Sequence, residues 1–434
     1  MIELKGKYNT AKVFTDEIEE SAVSQIIGFL NHIAFKSGNI AIMPDAHYGR
    51  GAVIGFTAPL SNKVIANVIG VDIACGVTAW KLGKRSTIGE RFDRLDTFIK
   101  ERIPSGKNVR KTVHPELHKI YNKMSQQIGY DPFMEVLQKA CTKTGQDFAR
   151  VLYSIGSLGG GNHFIEVDKD DNDDLWLIIH SGSRNFGLQI ATWHQKRAIA
   201  ILNEERKDAE KAKIEIIKNT VKAVEIEQKL EELQKSRVKV STELAYLSDG
   251  YAANYIDDMK IAQAYAALNR RTMGYEILTR FYNLDPFKIE VIASVHNYIN
   301  FSDNIIRKGA ISAHKDERVI IPLNMADGCI IGIGKGNAAW NYSAPHGAGR
   351  LMSRTAAKAN ISLEDFQRRM RDAGVWTSCV GKGTLDEAPQ AYKKADHIIA
   401  YLKDTVDIIV HMKPIYNFKA QEGRRRDKKK RHRR

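Results

Sequence analysis

Five short stretches place residues able to do chemistry beside residues with almost no side chain. "GVDIACG" supplies Asp72 and Cys75, and "GGGNHFIE" supplies Asn162, His163 and Glu166. "IIHSGSR" supplies His180, "SVHNYI" supplies His296, and "SAPHGAGRLMSR" supplies His346 followed by Gly347, Ala348 and Gly349. Carboxylates, one thiolate and three imidazoles, besides His346, suit a metal centre, and two ions are allowed because a deprotonated sulfur can bridge. By softness alone, this donor set favours zinc, cobalt or iron. The glycines around His346 let backbone N–H groups approach a ligand closely, and phosphate oxygens are common ligands of such clusters. At this level His346 has three open uses: metal ligand, acid–base group or nucleophile. The plainer alternative is that each histidine is a buried one satisfied by hydrogen bonds.

Other signatures are excluded. There is no CxxC pair and no HExxH. "GVWTSCVGKGT" resembles a P-loop, but its glycines at 374 and 381 are seven apart where five are needed. The four cysteines, Cys75, Cys141, Cys329 and Cys379, are widely separated, which argues against a disulfide scaffold and fits a reducing cytoplasm. No run of about 18 apolar residues occurs, so no membrane span is expected. The charged N-terminus lacks the apolar stretch of a secretory signal.

Charge points to an anionic partner. The chain of 434 residues carries a net charge of +15. The segment 421–434, "QEGRRRDKKKRHRR", holds nine Lys/Arg and two acidic residues, and so accounts for less than half of that excess. A basic body plus a basic tail is the electrostatic footprint of a nucleic-acid binder. The hydrophobic fraction of 43% is enough for a sizeable core.

The elements that must position these residues read as follows. Residues 1–85 alternate short apolar runs with Gly, Pro, Asn and Asp breaks, predicting strands and tight loops rather than helices. Residues 86–150 are polar and helix-like. "LWLII" before "HSGSR" predicts that His180 ends a buried strand. From about 190 to 240 the chain is dense in Lys and Glu without Gly or Pro. Ile214, Ile217, Val221 and Val224 mark one helical stripe there, which predicts a solvated excursion. A second helical block covers 252–282, strands resume near 290, 361–404 reads as helical, and "DTVDIIVHMKPIYNFKA" reads as a closing strand. The expected class is α+β: one large domain over 1–420, mainly antiparallel stacked sheets flanked by helices, with a helical insertion at 190–285 and a basic disordered tail at 421–434.

"MPDAHYGRG", "GVDIACG", "GGGNHFIEV", "HSGSRNFG", "HNY", "RKGA", "APHGAGRLMSR" and "DEAPQAYK" occur in an order that resembles the RtcB family of RNA ligases, across about residues 40–420. The resemblance implies joining of RNA 3′-phosphate or 2′,3′-cyclic phosphate ends to 5′-hydroxyl ends, in RNA repair or tRNA splicing, with GTP and two Mn²⁺ ions. It implies that Asp72, Cys75, His163, His180 and His296 hold the metals, with the cysteine bridging, and that His346 becomes linked to GMP. The implied manganese is harder than the donor softness suggests; the expectation follows the family, with zinc as a tight-binding competitor.

The nucleotide contacts implied by the resemblance begin at Asn162, His163, Phe164, Ile165 and Glu166, with Glu166 accepting from the guanine edge. They continue at His296, Asn297, Pro322, Leu323, Asn324, Met325 and Cys329. Gly347, Ala348 and Gly349 follow His346, with Arg350 adding a charged contact to phosphate, Tyr392 stacking on the base and Lys419 donating to it. Asp45 and His47 belong to the first motif and receive no role. Two departures stand out. "IPLNMADG" replaces the family's Gly-Ser-Met-Gly after "IP", which bears on GTP preference, and 14 residues follow Ala420. The expected partner is RNA, the expected state a cytoplasmic monomer, and some relatives use a helper protein. The alternatives are a metal-dependent RNA-end phosphoesterase and a non-catalytic RNA-binding paralogue.

Overall fold

The computed structural model describes residues 1–124, 129–220, 225–235 and 241–420. The basic tail, with Val221 and Val224 of the helical stripe, lies outside the described residues. The strands are β1 (Ile2–Lys5), β2 (Thr10–Val13), β3 (Ile40–His47), β4 (Ile54–Pro59), β5 (Gly76–Lys84), β6 (Phe164–Lys169), β7 (Asp174–Ser181) and β8 (Val291–Val295). They continue as β9 (Tyr298–Asn300), β10 (Ile305–Lys308), β11 (Ala310–Ser312), β12 (Arg318–Pro322), β13 (Cys329–Gly334), β14 (Ser343–Pro345) and β15 (Val406–Lys419). With the helices that flank them, they make an α+β fold.

The central sheet has the order β12-β13-β15-β6-β7-β5-β8 and is antiparallel throughout. It curls until its edge strands meet: the Ile320 N–H of β12 donates to Ser294 Oγ of β8 at 2.9 Å. This near-barrel explains why "DLWLIIHS" is apolar without alternation. Successive side chains point to opposite faces, and here both faces are covered. Trp176 and Ile178 join Val77, Ala79, Phe164, Ile331 and Met412 inside. Leu175, Leu177 and Ile179 pack outside with Trp80, Ile165, Val167, Ile99 and Ile277. Each such side chain contributes roughly 1.5–3 kcal/mol of burial. Ile99 and Ile277 come from the helices Phe92–Arg102 and Asp249–Arg280.

A second sheet has the order β1-β2-β3-β4-β10-β9, and a third is the pair β11-β14. Strands β2 and β3 pair in parallel, which requires a crossover. The helix Glu20–Leu30 supplies it and buries Ala22, Ile26, Phe29 and Leu30, one face at helical spacing. This corrects the strand-only expectation for residues 1–85: the short stripe is masked by the loop residues around it.

The long helix Arg184–Thr220 is buried near its start and solvated beyond about residue 203. The helix Ile226–Lys235 returns against it. The helix Asp249–Arg280 is a core element, burying Tyr255, Met259, Tyr265, Asn269 and Arg270. No helix among the described residues is long and apolar enough to cross a membrane.

Candidate metal and nucleotide site

Four of the five candidate metal ligands sit side by side because of strand order. In the series β6-β7-β5-β8, Phe164 pairs with His180, Val77 with His180, and Gly76 with Val295. His163 precedes β6, His180 lies at the end of β7, Cys75 precedes β5 and His296 follows β8. Neighbouring strands lie about 4.8 Å apart, so one end of the sheet presents all four. Asp72 reaches the row through the tight turn before β5. In that turn Ala74 holds a left-handed φ of 54° and its N–H donates to Asn297 O, while Asn297 sits at φ 101°. Two such non-glycine residues at one place mark backbone strain held in position by the surrounding sheet.

The donor atoms form two overlapping groups, Asp72–Cys75–His163 and Cys75–His180–His296. Cys75 Sγ is 3.3 Å from His163 Nε2 and 3.2 Å from His180 Nε2. His163 Nε2 is 3.0 Å from Asp72 Oδ2, and the Nε2 atoms of His180 and His296 are 3.3 Å apart. A cation with bonds of about 2.0–2.3 Å has ligand–ligand edges of roughly 3–3.6 Å, so these spacings are those of coordination polyhedra sharing Cys75. The hydrogen-bond chemistry agrees. His163 Nδ1 donates to Leu158 O at 2.8 Å, which turns Nε2 toward a carboxylate and a sulfur. Burial holds His180 and His296 well below the usual imidazole range, hence neutral as ligands must be. Burial, with Asp72 adding to it, pushes the Cys75 thiol well above its ordinary value. Sulfur ligation therefore depends on a cation to displace that proton. The residues fit a two-ion centre with a bridging cysteine.

His346 follows β14 and stands beside this row, with ring centroids of His346 and His296 4.7 Å apart. Its Nδ1 is 2.7 Å from Asp45 Oδ2, and Asp45, from β3, is fully buried. The aspartate places the proton on Nδ1 and turns Nε2 away from the carboxylate. Gly349, at φ 71°, lets the loop cross Asp45, since a Cβ there would stand 2.8 Å from Asp45 O. Gly159, at φ 92°, does the same for His163, because a Cβ would meet His163 Nδ1 at 2.6 Å and Arg184 at 1.9 Å.

These groups line one cleft of about 290 Å³, near the lower end for small-molecule sites. Asp72, Cys75, His180, His296 and His346 share it with Asn162, Phe164, Glu166, Asn297, Pro322, Leu323, Asn324 and Met325. Gly347, Ala348, Gly349, Tyr392 and Lys419 line it as well. Ile165 is a correction: strand alternation turns its side chain into the outer core, away from the cleft. Cys329 is another: it lies inside the barrel behind Glu166, with Sγ 3.7 Å from Glu166 Oε1.

Arg350 also lines the cleft. Its guanidinium donates to Asp386 O at 2.6 Å and to the Tyr392 hydroxyl at 3.2 Å, and it covers the Tyr392 ring at 5.0 Å. It braces the pocket wall. Glu387 anchors that wall, accepting from the Tyr392 hydroxyl at 2.7 Å and from Lys419 at 2.9 Å. Burial pushes the Glu387 carboxyl up, but Lys419 and Arg354 outweigh it and hold it at about 2. Asn324 spends its side chain on its own turn, accepting from the Ala326 and Asp327 N–H groups.

Three residues were not assigned from sequence. Asp45 was visible only as an acid in a strand-end motif. Glu387 lay in "DEAPQAYK" without an evident role. Arg270 carried no signal, since it is one of many charged residues along its helix and only the fold buries it. Fully buried, it donates to Ala74 O at 2.8 Å and Ser181 O at 2.9 Å, tying the Asp72–Cys75 turn to the end of β7. Its neighbour Asn269 accepts from the N–H groups of Gly156 and Ser157 and donates to Gly182 O.

A sequence model of the RtcB family, described as tRNA-splicing ligase RtcB, matches residues 30–420. The chain is 30% identical over 421 residues to the RNA-splicing ligase RtcB of Escherichia coli (strain K12), covering 92% of this chain and 94% of that protein. It is 25% identical to the tRNA-splicing ligase RtcB of Nanoarchaeum equitans over 83% of each chain, and 26% identical to that of Aeropyrum pernix over 86% of each. The chain belongs to the RtcB family of tRNA-splicing ligases.

Proposed function

We propose that this protein joins RNA 3′-phosphate or 2′,3′-cyclic phosphate ends to 5′-hydroxyl ends, using GTP and two Mn²⁺ ions, through guanylation of His346. The observation that carries the reading is the 2.7 Å Asp45–His346 contact beside the paired ligand groups. An imidazole held with Nδ1–H on a buried carboxylate and a free Nε2 is built as a nucleophile.

His346 Nε2 attacks the α-phosphorus of GTP and pyrophosphate leaves. Asp45 stabilises the positive charge that develops on the ring. The bound metals would supply charge neutralisation at the phosphates and activation of water to open a cyclic end. Gly347 and Gly349 let backbone amides approach the α-phosphate. An oxygen of the RNA 3′-phosphate then attacks the guanylate phosphorus and releases His346. The RNA 5′-hydroxyl attacks the activated 3′-phosphate and expels GMP, a better leaving group than hydroxide. Glu166, Asn162 and Lys419 serve the base, with Lys419 held between Glu387 and Asn162 O. Leu323 presents an apolar side chain to the cleft where the family has a glycine.

Purified protein, GTP, Mn²⁺ and two RNA strands bearing 3′-phosphate and 5′-hydroxyl ends should yield joined product, lost in His346→Ala. Phosphate release without joining would establish an end phosphoesterase instead. RNA binding with neither would establish a non-catalytic binder.

A further inference from the structure

Inside the near-barrel, behind the cleft, lies a second donor group, of which only Glu166 also reaches the cleft. Glu166 and Asp168, two apart on β6, point to the interior, and Cys329 of β13 faces them across β15. Each offers a ligand atom within 4.8 Å of the others, and all three are buried. Both oxygens of Asp168, which is fully buried, have no hydrogen-bond partner. The Asn417 Oδ1 is also buried without a partner, while its Nδ2 donates to Glu166 Oε2. The nearby cation, Lys419, is engaged by Glu387.

We infer that Glu166, Asp168 and Cys329 form a third cation site, structural in character, for a divalent metal of the zinc class. Two carboxylates and a thiolate are a donor set for such borderline ions. The 3.7 Å between Cys329 Sγ and Glu166 Oε1 matches the edge of about 3.6 Å expected for a tetrahedral ion with bonds near 2.3 Å to sulfur and about 2.0–2.1 Å to oxygen. An ion there uses the Asp168 oxygens, which have no well-formed hydrogen bond among the described residues. It engages Glu166 through Oε1, leaving Oε2 toward Asn417 and the cleft. The ion would therefore fix the orientation of a cleft-lining carboxylate from behind. Without it, burial pushes Glu166 up to about 7 and Asp168 well above its ordinary range, so uptake releases protons. The site is separate from the Cys75 groups and does not depend on the ligation reading.

The test uses the full chain. In a Cys75→Ser background, stripped with chelator and titrated with Co²⁺, Cys329 is the one thiol placed among carboxylates at a candidate site. A thiolate-to-cobalt absorption band that saturates at one equivalent, and is lost on adding Cys329→Ser, is expected. Asp168→Asn should weaken that binding on the order of 100-fold. Absence of the band from folded protein, or its persistence without Cys329, overturns the site. Elemental analysis of folded protein loaded with Zn²⁺, with and without Asp168→Asn, gives an independent reading should the Cys75 and Cys329 variants misfold. One tightly held ion that Asp168→Asn releases while the Cys75 site keeps its own supports the site. Equal Zn²⁺ content with and without Asp168 means that the carboxyl pair holds a proton instead, and overturns it.

Discussion

Replacing Asp45 with asparagine removes one charge from a fully buried position 2.7 Å from His346 Nδ1 and leaves the side-chain volume nearly unchanged. Guanylation makes the His346 ring cationic, because Nε2 bonds phosphorus while Nδ1 keeps its proton. Unit charges about 4 Å apart interact by about 4 kcal/mol at an effective dielectric near 20. That is about a thousandfold in rate. Asparagine can also donate to Nδ1, which would favour the tautomer with its proton on Nε2 and block attack. We therefore expect Asp45→Asn to slow single-turnover transfer of label from α-labelled GTP to protein by about a thousandfold or more. Metal content should not change, because Asp45 touches no member of the Asp72–Cys75–His163–His180–His296 set. A loss smaller than about tenfold in folded, metal-loaded variant would refute the claim that the carboxylate acts through charge and tautomer.

Gly159→Ala forces a Cβ against His163 Nδ1 and Arg184; we expect loss of at least one bound metal ion by elemental analysis, with the rest of the fold retained by circular dichroism. Glu387, held at about 2 against an ordinary 4.5, contributes stability that is present above pH 4.5 and lost as pH falls toward 2. The shift corresponds to on the order of 3 kcal/mol, so Glu387→Gln should cost about that much in urea unfolding at pH 7 and flatten the acid limb; an unchanged midpoint would contradict the network. Truncation after Ala420 removes nine Lys/Arg. The slope of log affinity against log salt for single-stranded RNA should become shallower by up to about 6, and an unchanged slope would exclude the tail from RNA contact.

Much of the central sheet was legible because apolar runs end in ligand-type residues. The burial of "LWLII" and the position of His180 at its end follow from length and composition alone. Strand order was not legible: nothing local says that β6, β7, β5 and β8 are neighbours, yet that order is what gathers His163, His180, Cys75 and His296. Period-2 alternation could have excluded Ile165 from the cleft, since Phe164 and Glu166 both face inward. The fate of Arg350 depended on Asp386 and Tyr392, more than 30 residues away. Arg270 and Asn269 were invisible because the second half of their helix is buried nearly all round, so its polar residues follow no solvent-facing stripe. The helix Glu20–Leu30 was hidden by its brevity, although the parallel pairing of β2 with β3 demands it.

The central claim is that His346 is the nucleophile that carries guanylate. The most direct measurement is peptide mass spectrometry of metal-loaded protein after incubation with GTP. A GMP adduct confined to the peptide containing His346, and absent in His346→Ala, is expected. An adduct on another residue, or none on His346 with both ions bound, would contradict it.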